Sequence, residues 1–353
     1  MVRKTEPKKR PRLLLSAFDL ENQLQKLSAS TLGADRERWP YKPIPTGYTM
    51  LDDKIGGITN RFYTLASGAR VGKSTFALQL AYNILLFEED AHCLFISLDQ
   101  PSRDVNIRLV AMAGECHTDY VQFPTAKEAD KYDDKRQRGL MKVRGMRDRL
   151  TIVDESLGSI YLDDVISFIG QSRRRGDHPL IVVIDPLYKI RGNPEDGTPE
   201  EQLERLCQDV KMLCASQAVA VIGTTRLKKG AASRRPELDD LDDQPGVLYE
   251  SDVIGLLYND SLNDGETPFL EWDWGTDDVM VPIFELNLVK NKMAGFAGRI
   301  YYRFKNSYSK FKECTAAEID NYNKMLLNLR VHDKDDPLVD DSAMQNIEYL
   351  DSK

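Results

Sequence analysis

The sequence predicts an α/β fold in which a mostly parallel sheet is flanked by helices and carries an antiparallel extension. Between residues 44 and 223, apolar segments of strand length alternate with segments of helical periodicity. Several of the strand segments are continuous apolar runs, which is typical of strands covered on both faces. After residue 250 the strand segments follow one another without intervening helices, which favours an antiparallel arrangement.

The elements follow in this order. An amino-terminal helix begins at Ser16 with an acidic residue three positions on, and residues 28–43 form a linker. The predicted core strands span 62–66, 93–98, 150–153, 180–184 and 218–223. The predicted core helices span 73–87, 102–113, 161–175 and 199–216, and the charged segment 126–149 predicts a solvated helix. The extension comprises strands at 252–258, 269–273, 283–289 and 298–304, followed by a final helix at 315–330.

Composition excludes some classes of protein. The chain has 353 residues, 41% hydrophobic and 29% charged, which suits one large core with appendages. Its net charge of −8 argues against a uniformly basic coat for nucleic acid. No apolar run approaches the ~18 residues of a membrane helix, so we expect no membrane association and a cytoplasmic location. Five scattered cysteines indicate a reducing compartment and no zinc site.

The two ends of the chain have opposite charge. Residues 1–12 carry six Lys or Arg and one Glu, whereas residues 331–353 carry seven acidic and two basic residues. Both compositions are typical of disorder. The basic end fits a nuclear-import signal, a nucleic-acid arm or a merely solvated tail, and the sequence does not choose among them.

A phosphate-binding loop is the most specific motif. It follows the apolar run 62–66 and opens a helical pattern, which is the context that such a loop needs. Its residues are Ser67, Gly68, Ala69, Arg70, Val71, Gly72, Lys73, Ser74 and Thr75. Backbone N–H groups and the helix N-terminus would hold phosphate oxygens, Lys73 would reach the terminal phosphates, and Ser74 would bind Mg²⁺. The pattern departs at Ser67, where the full motif has Gly.

A second motif supports a nucleoside triphosphate as the ligand. The apolar strand 181–184 ends in Asp185, as in the Walker B pattern, where a carboxylate lies beside Mg²⁺. Alone the motif is weak, because many buried strands end in Asp. Together with the phosphate loop it predicts ATP and Mg²⁺ as ligands, with Ser74 and Asp185 as the metal-binding residues.

At this point the sequence resembles a known family. Residues 44–52 (Ile-Pro-Thr-Gly-Tyr-Thr-Met-Leu-Asp) with Gly56-Gly57 look like the opening of the ATPase domain of DnaB-type replicative helicases. Residues 94–101, 238–241 and 288–292 are similar to later segments of that domain. The helicase half of phage primase-helicases and the plasmid RepA-type hexameric ATPases are also similar. The resemblance covers roughly residues 44–311, preceded by a tail, linker helix and linker (1–43) and followed by a helix and acidic tail (312–353).

The resemblance implies a RecA-like P-loop NTPase core, a homo-hexameric ring and movement on single-stranded DNA. It assigns the catalytic roles to Lys73, Asp99, Asp185, Arg226, Lys290 and Lys292. Asp99 would activate water, Arg226 would couple nucleotide state to the following loop, and the two lysines would complete a neighbour's site. That basic loop would contact DNA through Lys228, Lys229, Arg234 and Arg235. The family's primase-binding domain has no counterpart before residue 44, so we expect a primase or loader on another chain.

Three departures keep alternatives open. Asp99 replaces a glutamate, Arg226 replaces a Gln or His, and Lys292 replaces an Arg. Asp is one methylene shorter, and Lys lacks the planar guanidinium fork. The leading hypothesis is an ATP-dependent DNA helicase or translocase acting in replication of a genome, phage or plasmid. The alternatives are a nucleotide-gated DNA-binding assembly protein with weak or no unwinding, and a RecA-like recombinase or clock-type ATPase.

Overall fold

The computed structural model describes residues 42–124, 132–192, 197–228, 234–259, 269–272, 279–295 and 297–332. The predicted helix at Ser16, the basic tail, residues 333–353 of the acidic tail and Lys229 of the basic loop lie outside these ranges. In the described part of the chain, no helix is long and apolar enough to cross a membrane. The five cysteines are all buried and unpaired.

Strands and helices alternate as expected through the first two thirds of the described chain. The strands are β1 (Phe62–Ser67), β2 (His92–Ser97), β3 (Leu150–Asp154), β4 (Leu180–Asp185), β5 (Val219–Arg226), β6 (Val253–Asn259), β7 (Phe269–Trp272), β8 (Val279–Asn291), β9 (Gly298–Lys305) and β10 (Lys310–Glu313). The helices are α1 (Thr49–Ile55), α2 (Lys73–Phe87), α3 (Ser102–Gly114), α4 (Thr118–Gln122), α5 (Asp133–Gly145), α6 (Leu162–Arg173), α7 (Pro199–Ser216), α8 (Pro245–Glu250) and α9 (Ala316–His332).

One twisted sheet joins these strands in the order β10-β9-β8-β6-β1-β5-β4-β2-β3, and β7 pairs with β8. The six strands from β6 to β3 run parallel. The other four are antiparallel to their neighbours. Segment 252–258 was expected in the antiparallel extension, and that expectation is wrong: β6 pairs parallel to β1, with Tyr63 opposite Val253. The extension therefore begins at β8.

Burial on both faces explains why the central strands are apolar throughout. Alternate residues of β1 enter different clusters: Tyr63 and Leu65 pack with α2, whereas Phe62 and Ala66 pack with α6 and α7. Side chains of successive strand residues point to opposite faces, so the sheet separates two apolar layers. Each fully buried large side chain, such as Phe76 on α2, contributes about 2–3 kcal/mol of transfer free energy.

The edges of the sheet differ from the predicted boundaries. Strand β8 is longer than the predicted 283–289, and β10, which pairs with β9, was not predicted. Its sequence Lys-Phe-Lys-Glu has a single large apolar residue, Phe311, which is buried. A strand of four residues with one apolar side chain carries too little periodicity to be recognised. The predicted solvated helix corresponds to α5, in which only Gly139 is buried.

Candidate nucleotide site

The phosphate loop occupies the turn between the carboxyl end of β1 and the start of α2. Two of its residues have left-handed backbone conformations, Arg70 with φ 63° and Gly72 with φ 110°. Glycine adopts the second of these without strain. Gly72 is also the N-cap of α2 and has no side chain to satisfy the N–H groups of the first turn. Those donors therefore remain for an anion, with the positive end of the helix dipole behind them.

A cavity of about 500 Å³ opens over this loop. It brings together the loop, the end of β2, one residue of α3 and the ends of β5 and β9. Its lining consists of residues 67–75 with Asp99, Gln100, Arg108, Tyr188, Arg226, Phe304 and Asn306. The cavity therefore contains the predicted phosphate loop, the predicted water-activating carboxylate and Arg226.

The predicted metal-binding residues lie in contact. Ser74 Oγ donates to Asp185 Oδ1 at 3.1 Å, and Thr224 Oγ1 donates to the same oxygen at 2.5 Å. Burial raises the pKa of Asp185, and the hydrogen bonds from Thr224 and Ser74 with the charge of Lys73 oppose that rise. No group of three or more His, Cys, Asp or Glu converges in the described ranges. One hydroxyl and one carboxylate fit Mg²⁺, which takes its remaining ligands from water and phosphate oxygens.

Lys73 and Arg108 supply positive charge near the metal-binding pair. Burial lowers the pKa of Lys73, and the charges of Asp185 and Asp99 oppose this effect. Burial likewise lowers the pKa of Arg108, against the charges of Asp185 and Asp104. Buried cations are costly unless they meet anions, so this cavity is suited to a polyphosphate.

Asp99 is half-exposed and lies in an ion pair. Its carboxylate accepts from Lys189 Nζ, and the same ammonium group donates to the Leu98 carbonyl at 2.7 Å. Lys189 ends a short 3₁₀ turn, Leu187–Lys189, that follows β4. The predicted water-activating group is therefore held by a cation that the sequence analysis did not single out.

Arg226 ends β5 and stacks on a neighbouring ring. Its guanidinium lies over the Tyr188 ring at 5.1 Å from the centroid. Gln244 donates from Nε2 to the Arg226 carbonyl at 2.7 Å and accepts from the hydroxyl of Thr225. These contacts hold the end of β5, and Arg226 lines the cavity.

Lys290 and Lys292 lie at the opposite edge of the sheet. Lys290 is paired across from Ile254 at the start of β6, and the Lys292 N–H donates to the Asp252 carbonyl at 2.8 Å. The phosphate loop begins where β1 ends, so the two sites are separated by the length of that strand, roughly 17 Å. Both ammonium groups donate to the Tyr249 carbonyl at the end of α8. Burial, reinforced by the charge of Lys292, lowers the pKa of Lys290 to about 8.

The described residues of the basic loop are ion-paired within the chain. Arg234 makes a two-pronged contact with buried Asp240 at 2.8 and 2.9 Å, and Lys228 Nζ lies 3.5 Å from the same carboxylate. Arg235 donates to buried Glu285 at 3.0 Å. Asp240 belongs to the 3₁₀ turn Leu238–Leu241. Through Asp240 this acidic turn holds Lys228 and Arg234 of the basic loop.

Several residues of this site were not anticipated. Arg108 lies within an ordinary helical pattern, and Lys189 follows the Walker B strand in a turn. Thr224 contacts Asp185, and Gln244 contacts the end of β5, through tertiary contacts between segments that are distant in the sequence. No local sequence pattern marks any of them. The one available signal is position: Lys189 follows β4 and Thr224 lies near the end of β5, at the carboxyl edge of the sheet, where ligands bind in such folds.

Comparison with known proteins gives a consistent assignment. The family model of the DnaB-like helicase C-terminal domain matches residues 43–313. The chain is 24% identical over 282 residues to the replicative DNA helicase DnaC of Bacillus subtilis, covering 76% of this chain and 56% of that protein. It is 22% identical over 270 residues to a probable plasmid replicative DNA helicase of Chlamydia psittaci, covering 72% and 57%.

Solved structures agree on the fold. The ATPase domain of G40P superposes with a TM-score of 0.71 at 22% identity, covering 84% of this chain and 99% of that one. A DnaB-like replicative helicase, solved in a study of its interactions with primase, superposes with a TM-score of 0.68 over 84% of this chain and 67% of that chain. The chain spans a little over half the length of the curated relatives described above. With the family model matched from residue 43 to residue 313, the chain belongs to the DnaB-like helicase C-terminal domain family.

Proposed function

We propose that this chain is an ATP-hydrolysing motor of the DnaB type that moves on single-stranded DNA. The observation that carries the proposal is the cavity lined by the phosphate loop and Asp99, where Ser74 of the loop donates a hydrogen bond to Asp185. Curated relatives are named replicative DNA helicases, one of them for a plasmid, which supports replication as the setting.

The residues at the phosphate loop have distinct roles in this proposal. The N–H groups at the start of α2 and Lys73 hold the phosphates, and Lys73 also balances charge that develops on the terminal phosphate. Ser74 and Asp185 hold Mg²⁺, which when bound neutralises phosphate charge. Asp99 orients the attacking water and accepts its proton, and Arg226 reports the state of the nucleotide to the loop that follows β5.

Assembly into a ring follows from where Lys290 and Lys292 lie. Separated from the phosphate loop of their own subunit by the length of β1, they are placed to act only on another copy. We propose that they complete the neighbour's site, supplying positive charge to the transferred phosphate. The ring would be a homo-hexamer, by analogy with the family.

DNA contact is assigned to the loop after β5. Lys228 and Arg234 share one carboxylate, Asp240, so two cations are held at fixed positions by a single anion. Such a pair of cations suits a phosphate backbone without reading base sequence, and we assign Lys229 and Arg235 to the same DNA contact. A primase or loader on another chain is a further expected partner, since one structural neighbour was solved in a study of its interactions with primase.

One alternative has an observation of its own. Asp99 is already ion-paired with Lys189, and Lys292 offers an ammonium group where the family has the planar guanidinium of an arginine. Both features would slow hydrolysis, which favours a nucleotide-gated assembly protein with little unwinding. A strand-displacement assay on a forked duplex decides between them, with ATP and Lys73→Ala as the blank. We expect ATP-dependent displacement by the natural chain and none by the variant. Ring formation on ATP without displacement would support the assembly protein instead.

A further inference from the structure

A second groove lies beside the nucleotide cavity. The groove has a volume of about 430 Å³, and its lining includes Leu98, Glu155, Tyr188, Lys189 and Arg191. Tyr188 lines both spaces, and Leu98 in the groove is followed by Asp99 in the cavity. The two spaces therefore share a wall formed by the pairs 98–99 and 188–189, which follow β2 and β4 in the chain.

Lys189 connects the groove to the cavity. It lines the groove, and its ammonium group binds the carboxylate of Asp99, which lines the cavity, and the Leu98 carbonyl. The hydrogen bond to Asp99 is also the main cause of the raised pKa of Lys189, so the lysine stays charged at neutral pH. Asp99 and Lys189 are each about half-exposed, with side-chain exposures of 44% and 41%. An ion pair of that exposure is weak and easily exchanged for another partner.

The pairing has a chemical consequence for hydrolysis. A carboxylate that orients water must offer a free oxygen lone pair, and an ammonium group bound to that carboxylate competes with the water for the lone pair. Conversely, an anion in the groove would compete with Asp99 for Lys189. Arg191 adds a second cation to the groove wall, and Glu155 is the carboxylate that opposes anion entry.

We propose that Lys189 restrains Asp99 in the resting subunit and that a phosphate of the bound single strand, entering the groove, draws Lys189 away and frees Asp99. The inference rests on the proposed ATPase function and adds a regulatory role for a positioning residue that does not touch the nucleotide. Communication between DNA and hydrolysis would then pass directly through the wall at residue 189.

The test compares steady-state ATP turnover of the natural chain, Lys189→Met and Lys189→Arg, each with and without oligothymidylate at saturating ATP. Methionine keeps the length of the stem and removes the charge. We expect Lys189→Met to raise the DNA-independent kcat about two- to fivefold, the range for an exposed ion pair, with an unchanged KM for ATP. The ratio of DNA-stimulated to basal kcat falls accordingly, and Lys189→Arg retains the ratio of the natural chain.

Salt provides a readout that a structural role would not move. Raising NaCl from about 50 to about 200 mM should raise the basal kcat of the natural chain through screening of the pair, and should leave that of Lys189→Met unchanged. Lys42→Met is the matched control, because Lys42 pairs with Glu88 beyond the far end of α2, about 21 Å from the loop. It should alter neither rate.

Three outcomes overturn the proposal. If Lys189→Met lowers basal and stimulated turnover equally, Lys189 supports catalysis and does not restrain it. If the variant leaves both rates unchanged, the ion pair has no part in hydrolysis. If the natural chain and both variants show no turnover above Lys73→Ala, the proposed ATPase function fails as well, which distinguishes that failure from the first two.

Discussion

Asp185 is the residue on which the nucleotide site depends. It is buried at the end of β4, accepts hydrogen bonds from Ser74 and Thr224, and lies near the cation of Lys73. The motif pattern predicts Ser74 and Lys73 as neighbours of this carboxylate. It does not predict Thr224, Arg108 or Lys189, because their approach depends on sheet order and on turns after strands, which local patterns do not encode.

Asp99 gives the first prediction. Replacement by Asn keeps the size of the side chain and removes its ability to accept a proton, so we expect ATP turnover to fall by at least about 10²-fold. Nucleotide affinity should remain within a few-fold, because phosphates are held by the loop and Lys73. Turnover and fluorescent-nucleotide binding are measured in parallel. Asp90→Asn, an exposed change in the turn after α2, should affect neither, and near-normal turnover of Asp99→Asn would remove Asp99 from the mechanism.

A second prediction concerns two histidines at the opposite edge of the sheet. The rings of His92 and His178 stack at 3.5 Å between centroids. Burial, followed by the charges of His178 and nearby arginines, lowers the pKa of His92 from 6.5 to about 4. A histidine with a depressed folded-state pKa favours folding above pH 6.5, and that contribution is lost as pH falls towards 4.

The melting temperature should therefore fall between pH 7 and pH 5, and His92→Gln should lose less over the same interval. Thermal scans of both proteins at the two pH values measure the difference. An identical fall in melting temperature in the two proteins would show that protonation of His92 does not contribute to the pH dependence of stability.

At the scale of elements, α3 and α5 meet through two glycines. A Cβ at Gly139 would lie 2.4 Å from the Val110 carbonyl oxygen, and one at Gly114 would lie 2.3 Å from the Lys135 carbonyl oxygen. These backbones approach too closely for any side chain, so the helices must separate when one is added.

We therefore expect Gly139→Ala to lower the free energy of unfolding by about 1–3 kcal/mol, despite the higher helix propensity of alanine. Gly145→Ala is the matched control in the same helix, because nothing lies within 4 Å of its added Cβ. Urea denaturation of both variants measures the effect. Equal stability of the two variants would mean that the helices accommodate the methyl group.

The bounds of several elements could be predicted from the sequence, whereas the direction of one strand could not. Strands β1 and β4 and helices α2 and α7 lie within a residue of their predicted bounds, since each combines strong periodicity with clear ends. The predicted antiparallel direction of β6 is wrong because strand direction depends on the partner. β6 pairs in parallel with β1 and antiparallel with β8. Periodicity alone contains neither fact.

The whole molecule raises the question of how subunits share a site. If Lys292 acts on a neighbour, a Lys292→Ala subunit retains an intact phosphate loop and a Lys73→Ala subunit retains an intact Lys292. We expect each variant alone to hydrolyse ATP at least about tenfold more slowly and a mixture to recover part of the turnover. Titration of one variant into the other measures this. Strictly additive rates would show that Lys292 does not act between subunits.

The central claim is that the cavity over the phosphate loop hydrolyses ATP in response to single-stranded DNA. ATP hydrolysis by the natural chain and by Lys73→Ala, each with and without single-stranded DNA, tests it most directly. The account predicts turnover that DNA stimulates and that the Lys73→Ala variant abolishes in both conditions. Turnover that persists in the variant, or nucleotide binding by the natural chain without turnover in either condition, would contradict it.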